Sequence, residues 1–283
     1  MRQTIRDALW LWGHEAGSHD GQYGLPGSSR ITPVEAAHYM GIPNVIMVRY
    51  GSRTAPPDRQ AAVPFRSLRE VVWSVVGAGG TTGSAEIDQV LRLPACLPAM
   101  TGVMMDDFFH PEQNGECGVL PVAQLRELRA RLAVAGGRRA RAAGKPLDLW
   151  VVLYAHQLEL PVREHLALCD VVTFWTWKAC DLAHLERNVA AWEALVPRSR
   201  RVLGCYMWDY GQSRPLPLAQ MQRQCELGLQ WLRQGRVHGL IFLASCICDL
   251  ELETTEWTRD WIARVADEPL ADQGRATEPC RAG

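Results

Sequence analysis

The sequence has almost no excess charge, because 30 lysines and arginines are balanced by 31 aspartates and glutamates, for a formal net charge of −1 at pH 7. This balance argues against a nucleic-acid partner, since proteins that bind nucleic acid normally present a strongly basic surface. The sequence also lacks an apolar run long enough to cross a bilayer, and the first predicted strand begins too early to leave room for a signal peptide. We therefore expect a cytoplasmic protein with no membrane partner.

The sequence also lacks the cysteine spacing of a structural metal site. Its nine cysteines are an odd number, and one residue rather than two separates Cys246 from Cys248. We expect buried, unpaired thiols and no cofactor. A phosphate-binding G-x-G-x-x-G loop is missing as well, and the nearest candidate, Gly-Ala-Gly-Gly at 77–80, is more typical of a flexible strand-to-helix loop.

Strand-like and helix-like runs alternate along the chain. Helical candidates follow short apolar runs at 33–40, 59–68, 85–93, 122–135, 162–168, 182–195, 218–233 and 253–265. The apolar runs predict strands at 8–13, 44–50, 70–77, 102–107, 147–154, 171–177, 201–208 and 238–244.

Eight strand-helix units in about 265 residues fit a closed (β/α)8 TIM barrel better than an open doubly wound sheet. We predict this α/β barrel as a single domain over residues 1–268. Residues 269–283 form a polar tail in which we expect disorder. The sequence leaves the oligomeric state open.

One predicted strand, 102–107, ends on two adjacent carboxylates, Asp106 and Asp107. Its apolar character is typical of a strand that is covered on both faces. Adjacent side chains of a regular strand point to opposite faces, so one carboxylate should serve the site and the other should orient the loop.

Barrel enzymes build their active sites from the loops after the strands, where this sequence offers further carboxylates. Asp209 follows the seventh predicted strand and would pair with Asp107, as glycoside hydrolysis requires two carboxyl groups. We predict Asp107 as general acid or nucleophile, Asp106 as its support and Asp209 as the partner carboxylate. Glu159, after the fifth strand, is an alternative partner.

Aromatic and polar side chains also concentrate at these predicted strand ends. Sugar rings present C–H faces that stack on indoles, and their hydroxyls need polar partners, so a small-molecule carbohydrate is the expected ligand. Stacking is expected from Trp175, Trp177 and Trp208. Polar contacts or charge tuning are expected from His14, Glu15, Arg49, Tyr154, His156 and Lys178.

The segments 10–20, 25–30, 104–109 and 205–210 together resemble those of uncharacterised bacterial TIM-barrel proteins that are labelled glycoside hydrolases. The resemblance covers most of the chain and implies a barrel with sugar chemistry, but it identifies no catalytic residues. The fourth strand end carries neither the Asn-Glu pair of cellulase-like enzymes nor the Asp-x-Asp-x-Glu pattern of chitinase-like enzymes.

Two other functions remain open from the residues. A metal-dependent lyase, isomerase or hydrolase could use His14, His19, His156 and one aspartate as ligands, because imidazole and carboxylate suit zinc or manganese. A non-catalytic sugar-binding barrel is the other alternative, with the Asp106–Asp107 pair serving the loop structure.

Overall fold

The computed structural model describes residues 3–51, 58–113, 115–135 and 146–270. The strands found in these ranges are β1 (Leu9–Gly13), β2 (Asn44–Met47), β3 (Glu70–Val76), β4 (Met100–Met105), β5 (Phe109–Gln113), β6 (Glu116–Gly118), β7 (Asp148–Tyr154), β8 (Val171–Trp175), β9 (Arg200–Tyr206) and β10 (Gly239–Leu243). Eight of them form a closed parallel barrel in the order β1-β10-β9-β8-β7-β4-β3-β2, while β5 and β6 form a separate antiparallel hairpin. The predicted single-domain (β/α)8 barrel is confirmed.

Helices cover the outside of the barrel, and their ends follow local sequence signals. Thr32 caps the first helix by accepting a hydrogen bond from the Glu35 N–H, and the Glu35 carboxylate accepts one from the Thr32 N–H in return. Gly41 ends the same helix at φ 66°. The helices of the described residues are α1 (Pro33–Met40), α2 (Ser84–Val90), α3 (Val122–Ala135), α4 (Arg163–Leu166), α5 (Leu185–Leu195), α6 (Leu218–Arg233) and α7 (Glu253–Val265).

The α-helix predicted over 59–68 is not formed. Turns lead into a short 3-10 helix, Pro64–Ser67, because a proline inside the segment lacks the N–H that an α-helix would need there. The β5–β6 hairpin was not predicted from the sequence. The Asn114-Gly115 pair, a strong signal for a tight hairpin turn, lies between its two strands in the sequence.

Tryptophan pairs fill the barrel interior. Trp10 of β1 meets Trp150 of β7 across the barrel, with ring centroids 5.0 Å apart, and Trp12 meets Trp175 of β8 at 5.2 Å. These bulky rings need small neighbours, and Gly204 of β9 lies directly under the Trp175 indole. The upper pair, Trp12 and Trp175, forms the floor of the cavity described below.

The chain ends of the described range meet at the other end of the barrel. Thr4 forms a bridge with Pro269, and the Leu270 N–H donates to the Gln3 carbonyl at 2.8 Å. The first two residues of the predicted tail therefore pack on the barrel, and 271–283 lie outside the described residues. Within the described ranges, no helix combines the length and apolar composition that a membrane crossing requires.

Candidate active site

The carboxyl ends of the barrel strands surround a cavity of about 610 Å³, a volume typical of small-molecule sites. Its walls are mainly aromatic, and five of the six tyrosines in the sequence contribute to them. The lining includes Trp12, His14, His19, Tyr23, Tyr50, Asp106, Asp107, Phe109, Tyr154, His156, Gln157, Trp175, Trp177, Tyr206 and Tyr210.

Asp106 is a buried carboxyl at the end of β4, with 5% of its surface exposed. Its Oδ1 accepts a hydrogen bond from the Asp107 N–H at 2.9 Å, and no partner for Oδ2 is found in the described part of the chain. Burial, together with the negative charge of Asp107, raises the pKa of Asp106 well above its usual value. The raised pKa favours the protonated form, in which this carboxyl can donate a proton into the cavity.

Asp107 is held in a fixed position by two hydrogen bonds. Its Oδ1 accepts from the Tyr154 hydroxyl at 2.7 Å, and its Oδ2 accepts from the Gly79 N–H at 2.8 Å. Its backbone has φ 45°, which aspartate tolerates better than most residues. Since this is not strand geometry, the alternation of strand side chains stops here, and both Asp106 and Asp107 line the cavity.

The glycine-containing loop after β3 closes against Asp107. The Gly80 backbone has φ 66°, and a Cβ at this position would come within 2.9 Å of the Asp107 carbonyl oxygen. Together with the Gly79 N–H, this close approach explains why two glycines stand here. The segment 77–80, expected from sequence to be a flexible loop, thus contacts the Asp107 side chain and backbone.

The β5–β6 hairpin is attached to the end of β7 by Gln157. The buried Gln157 side chain donates from Nε2 to the Phe109 carbonyl at 2.9 Å and accepts from the Tyr154 N–H at Oε1, also at 2.9 Å. This link fixes the backbone on both sides of the Asp107–Tyr154 hydrogen bond. His156 lies at the exposed rim, stacked on Tyr154 with an interplanar angle of 12°.

His14 has both ring nitrogens bonded within the protein. Nδ1–H donates to the Val48 carbonyl at 2.9 Å, and Nε2 accepts from the Trp12 indole N–H at 3.1 Å, which fixes the neutral tautomer. Burial lowers the pKa of His14 from 6.5 to about 4. Neither ring nitrogen is left for a metal or for proton transfer, so His14 shapes the cavity wall.

The buried neutral state of His14 predicts a loss of stability in acid. Between about pH 6.5 and 4 the unfolded chain binds a proton that the folded chain excludes, so stability falls as pH falls, by on the order of 3 kcal/mol for this group. We expect His14→Gln to show a shallower decrease in the free energy of unfolding between pH 7 and pH 4.5, measured by urea titration. Loss of His14 also removes its lowering effect on the pKa of His19, which changes the slope in the same direction, so equal slopes would contradict the assignment.

An aromatic wall joins the loops after β1, β2 and β9. His19 Nδ1 and the Tyr210 hydroxyl are 3.2 Å apart, and the Tyr23 and Tyr50 hydroxyls are 3.0 Å apart. Burial, followed by the effect of the nearby His14, lowers the pKa of His19 to about 2, so its imidazole is neutral. Trp208 does not line the cavity, and its indole N–H donates to the Tyr23 carbonyl at 2.8 Å, which anchors this wall.

Asp209, the predicted partner carboxylate, lies outside the cavity. It is 1% exposed, its Oδ1 accepts from the Ala179 N–H at 3.2 Å, and its Oδ2 pairs with Arg214 at 3.4 Å. The Asp209 backbone also bonds to Arg214 in both directions. The carboxylate therefore joins the loops after β8 and β9. Glu159 is exposed and is not among the cavity residues either.

Three other predicted contact residues also lie outside this cavity. Lys178 is exposed and its side chain packs beside Gly211. Arg49 donates to Glu86, and with Glu15 these side chains line a separate cavity of about 280 Å³. Of the predicted site residues, the structure brings together Asp106, Asp107, His14, Tyr154, His156, Trp175 and Trp177.

The histidines do not form a metal site with the aspartates. In the described residues, no group of three or more His, Cys, Asp or Glu side chains has a metal-binding arrangement. The metal-dependent alternative relied on His14, whose ring nitrogens are already bonded to Val48 and Trp12.

Several lining residues lie at the predicted strand ends but were not among the predicted site residues, above all Tyr23, Tyr50, Tyr206 and Tyr210. Tyr23 and Tyr50 follow β1 and β2, while Tyr206 ends β9 and Tyr210 lies just after it, so the four do not form one local motif. The signal that could have found them is their distribution, because five of six tyrosines lie within or after predicted strand ends.

Solved structures with the same barrel include two plant chitinases. A family 18 chitinase from Cycas revoluta, in complex with allosamidin, aligns with TM-score 0.57 and 12% identity over 89% of this chain and 99% of that chain. A class V chitinase from Nicotiana tobaccum aligns with TM-score 0.55 and 13% identity over 88% of this chain and 98% of that chain. The chain shares the barrel fold of these proteins.

A third match is a xylanase-alpha-amylase inhibitor protein in complex with trehalose, with TM-score 0.54 and 12% identity over 91% of this chain and 98% of that one. The chain matches no protein-family model and no curated protein sequence. At these identities the likeness concerns the fold, and the residues of the cavity carry the functional argument.

Proposed function

We propose that this chain is a glycoside-hydrolase-like enzyme that cleaves a small saccharide or glycoside with Asp106 as the general acid. The observation that carries the proposal is a buried carboxyl with a raised pKa in an aromatic cavity at the carboxyl end of a (β/α)8 barrel. Barrel enzymes place their chemistry at this end, and a carboxyl with a raised pKa is the group that glycoside cleavage needs as its acid.

In the proposed reaction, the Asp106 proton moves to the glycosidic oxygen as the bond from that oxygen to the anomeric carbon breaks. Positive charge develops on the sugar ring, and the Asp107 carboxylate stabilises it from a position fixed by Gly79 and Tyr154. Water then adds to the anomeric carbon, and the ionised Asp106 accepts the proton that this water loses. The products are a free sugar and an alcohol.

The aromatic walls supply the surfaces on which a sugar ring can pack. Trp177 is partly exposed at the cavity wall, while Trp175 is buried at its floor. Stacking of a C–H face on Trp177 would hold the sugar above Asp106. In this proposal Asp209 and Trp208 have supporting roles, since their polar groups bond to neighbouring loops.

A non-catalytic sugar-binding barrel is the second candidate. Glycosidases usually hold the scissile bond between two carboxyl groups, whereas the described lining of this cavity has only the adjacent pair Asp106 and Asp107. Both Asp107 oxygens are also occupied by protein donors. The same fold occurs in the inhibitor protein that was solved with trehalose.

Turnover separates the two candidates. We expect the purified chain to release sugar from a panel of disaccharides and aryl glycosides, detected by chromatography, and Asp106→Asn to lose most of this activity. Asp260→Asn, which removes an exposed carboxylate on α7, is the matched control and should retain it. Binding of a sugar by calorimetry without release of any product would favour the second candidate.

A further inference from the structure

A ligand in the cavity would meet negatively charged side chains, and the described residues place no positively charged side chain in the lining. Its lining in these ranges contains two aspartates, three histidines and five tyrosines, but neither lysine nor arginine. Burial lowers the pKa of all three histidines, to about 4 for His14 and about 2 for His19, so their rings are neutral at pH 7. The carboxylate of Asp107 is thus the fixed charge that a ligand meets.

Three aromatic rings beside this carboxylate form two nearly perpendicular pairs. Tyr154, which donates its hydroxyl to Asp107, lies at 83° to Trp177, and Trp177 lies at 83° to Tyr206. The ring centroids are 6.3 Å and 5.6 Å apart in these two pairs. Differently oriented rings around one volume form the kind of cage in which proteins bind ammonium groups, because each ring face is electron-rich.

The charge of Asp107 also lacks a cationic partner among the described side chains. Its two hydrogen bonds come from an amide and a phenol, both of which are neutral donors. A neutral sugar would leave this charge uncompensated inside an aromatic cavity, and a sugar acid or sugar phosphate would be repelled by it. A protonated amine would satisfy both the carboxylate and the ring faces.

We propose that the cavity, in the glycoside-cleaving role given above, takes an amino sugar with a free protonated amine, its ammonium lying against Asp107 and the faces of Trp177 and Tyr206. That the ligand is a sugar rests on the proposed function, whereas its positive charge is inferred from the side chains that line the cavity. It excludes sugar acids and sugar phosphates as preferred ligands, and it ranks the N-acetylated sugar below the free amine.

Calorimetry with three disaccharides tests the charge preference without requiring turnover. The probes are β-1,4-linked diglucosamine, its N-acetylated counterpart and cellobiose, at about pH 6, where the amine is protonated. We expect diglucosamine to bind at least about tenfold more tightly than the other two. Raising the pH to about 9 should remove that advantage and leave cellobiose binding unchanged, because the amine then loses its charge.

The variant Asp107→Asn should also remove the preference. Asparagine tolerates the positive φ of this position, so we expect the variant to fold. Comparing the melting temperature of the variant with that of the unaltered chain checks this. Asp260→Asn, the same charge change on the outer surface of α7, should keep the preference. The comparison of binding at pH 6 and pH 9 uses the unaltered chain, so it tests the preference for a charged amine even if Asp107→Asn does not fold.

Failure of this inference differs from failure of the proposed function. Equal or tighter binding of cellobiose or the N-acetylated disaccharide, with turnover that still depends on Asp106, would overturn the amine preference alone. Absence of binding to all three disaccharides would overturn the amine preference, and it would overturn both proposals if no glycoside of the wider panel is cleaved either.

Discussion

Asp106→Asn lowers kcat/KM by about 10²–10⁴-fold for a glycoside whose leaving group is a sugar or simple alcohol, the range typical for loss of a general acid. Such leaving groups depart as strong bases unless they receive a proton. Burial and the charge of Asp107 raise the pKa of Asp106, which favours the form that carries this proton. The measurement is the steady-state rate on a disaccharide.

The same variant should lose much less activity on an aryl glycoside with an activated phenol, because this leaving group departs without protonation. The loss of activity on the disaccharide, divided by the loss on the aryl glycoside, distinguishes a general acid from a residue that only supports the fold. Equal losses on both substrates would show that Asp106 acts on the structure of the cavity and not as a proton donor. Asp260→Asn should leave both rates unchanged.

Gly204→Ala is expected to produce the largest loss of stability from a small change. A methyl group on this residue of β9 would overlap the indole of Trp175, which is 1% exposed and packs against Trp12. Because the ring has no free space, the substitution should lower the free energy of unfolding by about 1–3 kcal/mol or more. Urea unfolding followed by tryptophan fluorescence measures it.

Gly27→Ala is the matched control for this substitution. A Cβ at Gly27 would meet Leu250 at 3.5 Å, an ordinary contact, so the change should stay within about 0.5 kcal/mol. A Gly204→Ala protein as stable as Gly27→Ala would mean that the Trp12–Trp175 layer is not tightly packed. Since these rings form the cavity floor, a displaced Trp175 should also weaken sugar binding.

The barrel could be predicted because its strands are short apolar runs between helices with clear start signals. The run 70–77 and the capped helix at 33–40 correspond to β3 and α1 within one residue at each end. Predicted strands such as 44–50 and 201–208 extended two or three residues too far, since apolar and aromatic residues continue into the loops. Those extra residues include Tyr50, which lines the cavity.

The candidate site was less predictable, because it depends on side-chain direction. Asp107 and Asp209 both follow strands, yet φ 45° turns Asp107 to the cavity and Arg214 holds Asp209 outside it. No periodicity in the sequence encodes either feature. The sequence predicted Asp107 as general acid or nucleophile with Asp106 in support, whereas the proposed function gives the acid role to Asp106. The reasons are the burial and raised pKa of Asp106 and the two hydrogen bonds that Asp107 already accepts.

A crystal structure of the Asp106→Asn variant with a bound disaccharide would show whether Asp106 is placed to act as the general acid. We expect the glycosidic oxygen within hydrogen-bond distance, about 2.6–3.2 Å, of the side chain at position 106, with one sugar ring against Trp177. A disaccharide bound outside the cavity, or a glycosidic oxygen turned away from position 106, would contradict the assignment of Asp106 as the acid.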